Sequence, residues 1–151
     1  SNTSSAVREF YTSKGLISKS IRCALVDHFA TSYEHFQKIA LPFSPDIIVY
    51  CKSNYLFIRA KTEAKQVIAA CKQFEETRGY FPRLVMEEKG GLIAIEENQR
   101  SLENVLDVYL DEMKISWLSE NFGGPHFMST EQIRFIDNWE VEHYRRKVAK
   151  S

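Results

Sequence analysis

The sequence predicts a small α/β domain of two or three layers, with a short mixed sheet and about four helices. Apolar residues recur at helical spacing in several segments, and short β-branched runs lie between turn residues. The predicted order is helix, strand, helix, strand, strand, helix, helix. A strand–helix–strand unit followed by a glycine hairpin predicts a parallel strand pair extended by an antiparallel strand.

Composition restricts the classes of protein and partner. The chain has 151 residues, 44% of them apolar, which suffices for one domain with a real core. Lysine plus arginine equals aspartate plus glutamate at 20 each, so nucleic acid is not an expected partner. No apolar run approaches the roughly 18 to 20 residues that span a bilayer, so no membrane partner is expected. Three widely spaced cysteines, Cys23, Cys51 and Cys71, predict reduced core residues in a cytoplasmic protein.

The polar N-terminal segment predicts the domain boundary. The opening "SNTSS" is unpatterned and lacks an initiator methionine, which is typical of a cloning scar. We therefore expect residues 1–14 to be a tag remnant or linker and residues 15–151 to form a single accessory domain from a longer protein.

The first half of the chain predicts one helix and one strand. Apolar residues from Ser18 to Ile39 follow mostly helical spacing, with a break at Thr31–Tyr33 as the alternative. The prolines of "LPFSPD" end this helix. Ile47–Cys51 is β-branched and aromatic, which predicts a fully buried strand.

The second half predicts a helix and a hairpin. The helix is capped by Thr62 and ended by Gly79. Two apolar runs around Lys89–Gly91 predict a hairpin in which glycine supplies the positive φ of the turn.

Two further helices are predicted towards the C-terminus. One begins at a Ser101 cap, and the other runs from Ser129 to about Lys147. "NFGGPHFMS", Asn121–Ser129, predicts the rigid corner between them, with Gly123 as a left-handed cap.

No catalytic or metal site is predicted within the chain. Its histidines lack the two-residue and four-residue spacings of local metal ligands, and no nucleotide or hydrolase motif is present. The acidic pairs Glu87-Glu88 and Glu96-Glu97 are interpreted as solvated strand ends. Ligands of open α/β sheets collect at the carboxyl ends of parallel strands, which makes Lys52, Asn54 and Lys89 candidate ligand-binding residues. His126, in the predicted corner, is the fourth candidate.

Three segments resemble the region after the catalytic domain in long class II aldolase/adducin proteins. They are "PFSPDIIVYCKSNYLFI", "PRLVMEEKGGLIAI" and "FGGPHFMSTEQIRFIDNWEVEHYRRK". In bifunctional rhamnulose-phosphate aldolases, a similar region lies between the aldolase and dehydrogenase parts. The resemblance implies that the chain is the accessory domain of a zinc-dependent sugar-phosphate aldolase, a lyase of sugar-phosphate metabolism. That family binds zinc through a His-x-His motif absent from this chain, so no catalytic residue, zinc ligand or cofactor is carried over.

Two functions therefore remain open. The first is a non-catalytic interaction domain that contacts the parent catalytic domain or a neighbouring subunit; an exposed apolar patch would mark it. The alternative is a small-molecule module for a phosphate or nucleotide, for example a phosphorylated sugar, with its pocket at the carboxyl ends of the strands.

Overall fold

The structure is a computed structural model that describes residues 2–40 and 45–122. Within these ranges the chain forms six helices and four strands. The helices are α1 Asn2–Thr12, α2 Ala24–Phe29, α3 Tyr33–Gln37, α4 Pro45–Cys51, α5 Ala64–Arg78 and α6 Gln99–Phe122. The strands are β1 Ile17–Ile21, β2 Leu56–Ile58, β3 Leu84–Glu87 and β4 Leu92–Glu96.

The four strands form one mixed sheet in the order β1-β4-β3-β2. β2 and β3 are parallel and are joined through α5. β4 returns antiparallel to β3, and β1 pairs antiparallel with the other side of β4. The predicted α/β fold with a parallel pair and an antiparallel hairpin is confirmed.

Helices cover both faces of the sheet, so the domain has three layers. Alternation along each strand sends successive side chains to opposite faces. Leu84 and Met86 join a core with residues of α2, α4 and α6, whereas Val85 between them joins a second core with residues of α1 and α5. The short sheet therefore stabilises two separate apolar clusters.

The N-terminal segment is an element of the fold, whereas the sequence predicts a linker at residues 1–14. Residues 2–12 form α1, and its Val7 and Tyr11 are fully buried. The phenol of Tyr11 donates a hydrogen bond to Oε2 of Glu75 on α5 at 3.1 Å. Val7 and Tyr11 lie four residues apart on one helical face, a pattern that the polar start of the segment obscured.

The single helix predicted over Ser18–Ile39 is wrong. Its first residues belong to β1, and the remainder forms the two short helices α2 and α3. Ser32 accepts a hydrogen bond from the His35 backbone and begins α3, so the alternative break at Thr31–Tyr33 is confirmed. β1 exists because β4 pairs with it, with Ile21 opposite Leu92. Local apolar spacing carries no information about such a distant partner.

The buried strand predicted at Ile47–Cys51 is also wrong. These residues belong to α4, and the strand lies later, at Leu56–Ile58. Ile47 and Cys51 are buried, one helical turn apart, while the residues between them are exposed. A proline at the first position of α4 is favourable for a helix start.

The predicted helix ends are partly confirmed. Gly79 ends α5 with a left-handed φ of 82°, as expected. Thr62 is not the cap of α5, because its hydroxyl donates to the Arg59 carbonyl and Glu63 occupies the cap position. α6 begins at Gln99, before Ser101, because the Asn98 side chain accepts a hydrogen bond from the Ser101 amide.

The hairpin between β3 and β4 is confirmed, but its glycines act differently than predicted. The left-handed residue of the turn is Lys89, with a φ of 57°. Gly91 is needed for space, since an added Cβ would lie 2.8 Å from the carbonyl oxygen of Ile21 on β1. The absence of a side chain at Gly91 therefore allows the turn to pack against β1.

Further predictions concern the C-terminal part and the membrane. α6 ends at Phe122, close to the predicted end, and the remaining corner and the helix over Ser129–Lys147 lie outside the described residues. No helix within residues 2–40 and 45–122 is long and apolar enough to cross a membrane.

Candidate functional site

Two of the predicted site residues, Lys52 and Asn54, lie together in the loop between α4 and β2. Nδ2 of Asn54 donates a hydrogen bond to the hydroxyl of Tyr80 at 2.9 Å. Nζ of Lys52 lies 5.8 Å from the centre of the Tyr80 ring. The backbone of Lys52 is left-handed, with a φ of 64°, and its amide donates to the carbonyl of Ile48 in α4. The side chains of Lys52 and Asn54 therefore both lie next to Tyr80.

The third predicted residue, Lys89, lies at the opposite end of the sheet. Lys52 and Asn54 precede β2, whereas Lys89 follows β3, and these two strands are parallel. The single site expected at the carboxyl ends of the strands is therefore not formed, because it depended on a strand at Ile47–Cys51. His126 lies outside the described residues. Ligand binding by any of the four residues stays a prediction.

The chain itself occupies the carboxyl ends of the parallel strands. Oε1 of Glu88 accepts a hydrogen bond from the Ala60 amide at 3.0 Å, and its other oxygen lies 3.8 Å from Arg59. The Glu88 amide donates to the carbonyl of Ile58, and the Lys89 amide donates to that of Ala30. These bonds tie the loops together where a ligand was expected.

One of the predicted solvated acidic pairs is partly buried. Glu96 is 8% exposed, and its carboxylate lies 3.4 Å from Nε of Arg83. Its other oxygen accepts from the Glu97 amide, while the Arg83 guanidinium stacks 3.7 Å from the centre of the Phe81 ring. Glu96 therefore joins the end of β4 to the start of β3, and the interpretation as a solvated strand end is wrong for it.

Two histidines that the spacing analysis treated as separate meet at the C-terminal end of α6. The rings of His28 and His35 lie 5.2 Å apart, and Nε2 of His28 lies 3.1 Å from Glu120. Lys38 contacts the same carboxylate at 2.9 Å. Burial acts to raise the pKa of Glu120, but hydrogen bonds from Lys38 and His28 outweigh it and lower that pKa. A separation of seven residues in sequence gave no local signal for this cluster.

The arrangement of the described side chains favours neither a metal site nor a thiol nucleophile. Within residues 2–40 and 45–122, no three His, Cys, Asp or Glu side chains are grouped to hold a metal ion. Cys23, Cys51 and Cys71 are free and buried, as predicted for core residues. Burial, with a smaller contribution from the charge of Glu112, raises the pKa of Cys51 to about 12, and burial raises that of Cys71 to about 11. Both thiols are therefore protonated and poorly nucleophilic at neutral pH.

α4 presents an exposed apolar surface of three consecutive residues, called the α4 patch here. Ile48, Val49 and Tyr50 are 48%, 68% and 42% exposed. The opposite side of the helix packs on α6 through Ile47 and Cys51, and the thiol of Cys51 lies 3.6 Å from the carbonyl of Val105. The patch was not predicted from the sequence, because a fully buried strand was expected over the whole segment. The four-residue spacing of Ile47 and Cys51 is the signal that could have found it.

A groove beside the edge strand β1, called the β1 groove here, was also missed. It consists of two cavities of about 320 and 260 Å³, both lined by Ser4 of α1 and Ser20 of β1. The hydroxyls of Ser4 and Ser20 lie 2.6 Å apart. The larger cavity is also lined by Arg8, Ile17, Ser18, Lys19, Gln99 and Leu102, and the smaller by Arg22, Glu87, Lys89, Gly90, Gly91 and Ile93. The groove was not predicted, because a linker and a helix were expected in the segments that form α1 and the edge strand β1.

Comparison with protein-family models and with curated proteins finds no match to this chain. The resemblance to the class II aldolase/adducin family therefore stays a prediction.

Proposed function

We propose that this chain is a non-catalytic interaction domain, which docks through the α4 patch onto another folded part of its own parent protein. The partner is the parent catalytic domain or a neighbouring subunit. The sequence resemblance suggests a cytoplasmic zinc-dependent sugar-phosphate aldolase as the parent, with zinc and the lyase chemistry residing in that catalytic domain.

The exposure of Ile48, Val49 and Tyr50 is the observation that supports this proposal. Burial of these three large apolar side chains in an interface would be favourable by about 25 cal/mol per Å² of apolar area removed from water. Exposed apolar patches of this kind are typical of protein interaction sites. Tyrosine at its edge suits an interface, because the ring is apolar and the hydroxyl can bond at the rim.

Photo-crosslinking in the full-length protein tests the proposal. A photo-reactive amino acid replaces Tyr50, and the crosslinked peptides are identified by mass spectrometry. We expect crosslinks to another domain of the same protein or to a second copy, and we expect Val49→Glu to weaken them because it places a charge in the interface.

The matched control uses α5. The photo-reactive residue is placed at the exposed position of Gln66, and Gln66→Glu adds the same single charge as Val49→Glu. Equal crosslinking from positions 50 and 66, or none from position 50, would contradict docking through the α4 patch.

The aldolase part of the proposal has a separate test. The sequence of the whole gene product upstream of residue 1 should contain a His-x-His motif, because two nearby imidazoles are what that family uses to hold zinc. A product without this motif would remove the reason for calling the parent a lyase while leaving the docking proposal intact.

A further inference from the structure

The β1 groove has a chemistry that the proposed interaction function does not use. β1 is an edge strand of the sheet, and α1 packs over it. The groove between them continues to the start of α6, where Gln99 and Leu102 line it. A concave site of about 320 Å³ lies at the small end of the range for ligand pockets.

Positive charge is concentrated in this groove although the whole chain is neutral. Arg8 and Lys19 line the larger cavity, and no carboxylate is among the described residues that line it. Arg22 and Lys89 line the smaller cavity together with Glu87. Positive charges that line a concave surface make the local electrostatic potential more positive and so attract anions.

Both cations of the larger cavity, Arg8 and Lys19, are available to a ligand. Arg22 lies 3.0 Å from Asp27 and is partly neutralised by it. Arg8 and Lys19 form no ion pair within the part of the chain that the structure describes. An arginine and a lysine in one cavity suit a multiply charged anion, because the guanidinium offers a planar fork and the ammonium a compact point charge.

The remaining polar groups of the larger cavity match phosphate. Ser4, Ser18 and Ser20 contribute hydroxyls and Gln99 an amide, all of which can donate to anionic oxygens. Within residues 2–40 and 45–122 no aromatic side chain lines the cavity, so these residues offer no platform on which a nucleobase could stack. We propose that the β1 groove binds a small phosphorylated molecule, with its phosphate between Arg8 and Lys19 in the larger cavity.

Calorimetric titration of the intact chain tests this proposal. The probes are inorganic phosphate and inorganic pyrophosphate, with citrate as a carboxylate of similar charge, all at constant ionic strength. We expect pyrophosphate to bind with a dissociation constant below about 1 mM, more tightly than citrate, and to shift the amide resonances of Ser18 and Ser20.

Paired variants separate the site from general charge. Arg8→Gln with Lys19→Gln should weaken pyrophosphate binding about tenfold or more, because both charged hydrogen-bond donors are lost. Lys65→Gln with Arg78→Gln removes the same two charges from exposed positions on α5 that line neither cavity, and should leave binding unchanged.

Several results would overturn the assignment. They are the absence of pyrophosphate binding, equal binding of citrate, and equal loss in the two double variants. Thermal unfolding of each variant shows whether it folds; Arg8 is exposed, so its substitution is expected to leave the fold intact. The outcome is independent of docking by the α4 patch, which lies on another element.

Discussion

At the scale of single residues, the hairpin turn shows how neighbouring positions have different reasons for their identity. Lys89 has the left-handed backbone expected of a glycine, with a φ of 57°. Its amide donates to the carbonyl of Ala30, a contact that holds this conformation in place. Gly91 has no positive φ but lies against the backbone of β1. The turn is predictable from the sequence, but the close approach at Gly91 is not, because the contacting carbonyl belongs to another strand.

Gly91→Ala is expected to destabilise the domain by about 1 to 3 kcal/mol. The added methyl group would lie 2.8 Å from the Ile21 carbonyl oxygen, and this backbone atom cannot move without disturbing the pairing of β1 with β4. Urea unfolding measures the change in the free energy of unfolding.

Gly15→Ala is the control for this measurement. Gly15 has open space around its Cβ position and a φ of 79°, so alanine there adds backbone strain without a clash. A loss at Gly91 no greater than that at Gly15 would contradict the steric explanation.

At the scale of elements, one buried phenol contributes a hydrogen bond between α6 and the first half of the chain. The hydroxyl of Tyr109 donates to the carbonyl of Ile39 at 3.0 Å, and both residues are fully buried. Burial, followed by the nearby charge of Glu112, raises the pKa of Tyr109 well above its ordinary value. The phenol therefore remains a neutral donor throughout the physiological range.

Tyr109→Phe is expected to cost about 1 to 2 kcal/mol of stability. The substitution keeps the ring but leaves the Ile39 carbonyl without this donor in the core. Tyr50→Phe on the exposed α4 patch is the matched control and should change stability little. Similar thermal shifts from both variants would show that the hydrogen bond contributes nothing measurable.

The same element scale explains where prediction of the helices and strands failed. α5 was recognised because its apolar face and Gly79 are signals within the segment. The segment of β1 is predicted as a helix and that of α4 as a strand, because a short apolar run fits both the helical and the strand period. Pairing of Ile21 with Leu92, and packing of Ile47 and Cys51 against α6, decided between them.

At the scale of the whole molecule, the cluster around Glu120 joins the far end of α6 to the segment that contains α2 and α3. His28 belongs to α2, and Lys38 follows α3. Both lie within 3.1 Å of the Glu120 carboxylate. Because the pKa of Glu120 is lowered in the folded state, its ionised form stabilises the fold.

Acid should remove this contribution. A carboxylate with a lowered folded pKa stabilises the fold fully above its unfolded pKa, near 4.5, and loses the effect as the pH falls through the folded value. Glu120→Gln should therefore reduce the melting temperature at pH 7 and have a smaller effect at about pH 3. Asp111→Asn, which removes an exposed carboxylate on the same helix, is the control.

Thermal melts at a series of pH values check this expectation. An equal loss at pH 7 and at about pH 3 for Glu120→Gln would contradict an ionic contribution and indicate a loss of packing instead. Because the groups are partly exposed, added salt should also weaken the effect.

The candidate sites also differ in how far local sequence patterns can predict them. Lys52, Asn54 and Lys89 were chosen from a correct general rule about strand ends, but one strand was placed several residues too early. The β1 groove needs α1, β1 and the start of α6 together, and its main cations, Arg8 and Lys19, belong to segments predicted as linker and helix. No local pattern joins them.

The sequence by itself determined the α/β class, the hairpin, α5 with its glycine end, and the neutral charge balance. These features depend on side-chain periodicity and turn chemistry, which act within a few residues. Tertiary structure alone decided that Ile17–Ile21 is an edge strand, that Pro45–Cys51 is a helix with an exposed apolar face, and that cations meet beside β1. The physical reason is that strand hydrogen bonds, burial of one helical face and a shared cavity all require partners distant in sequence.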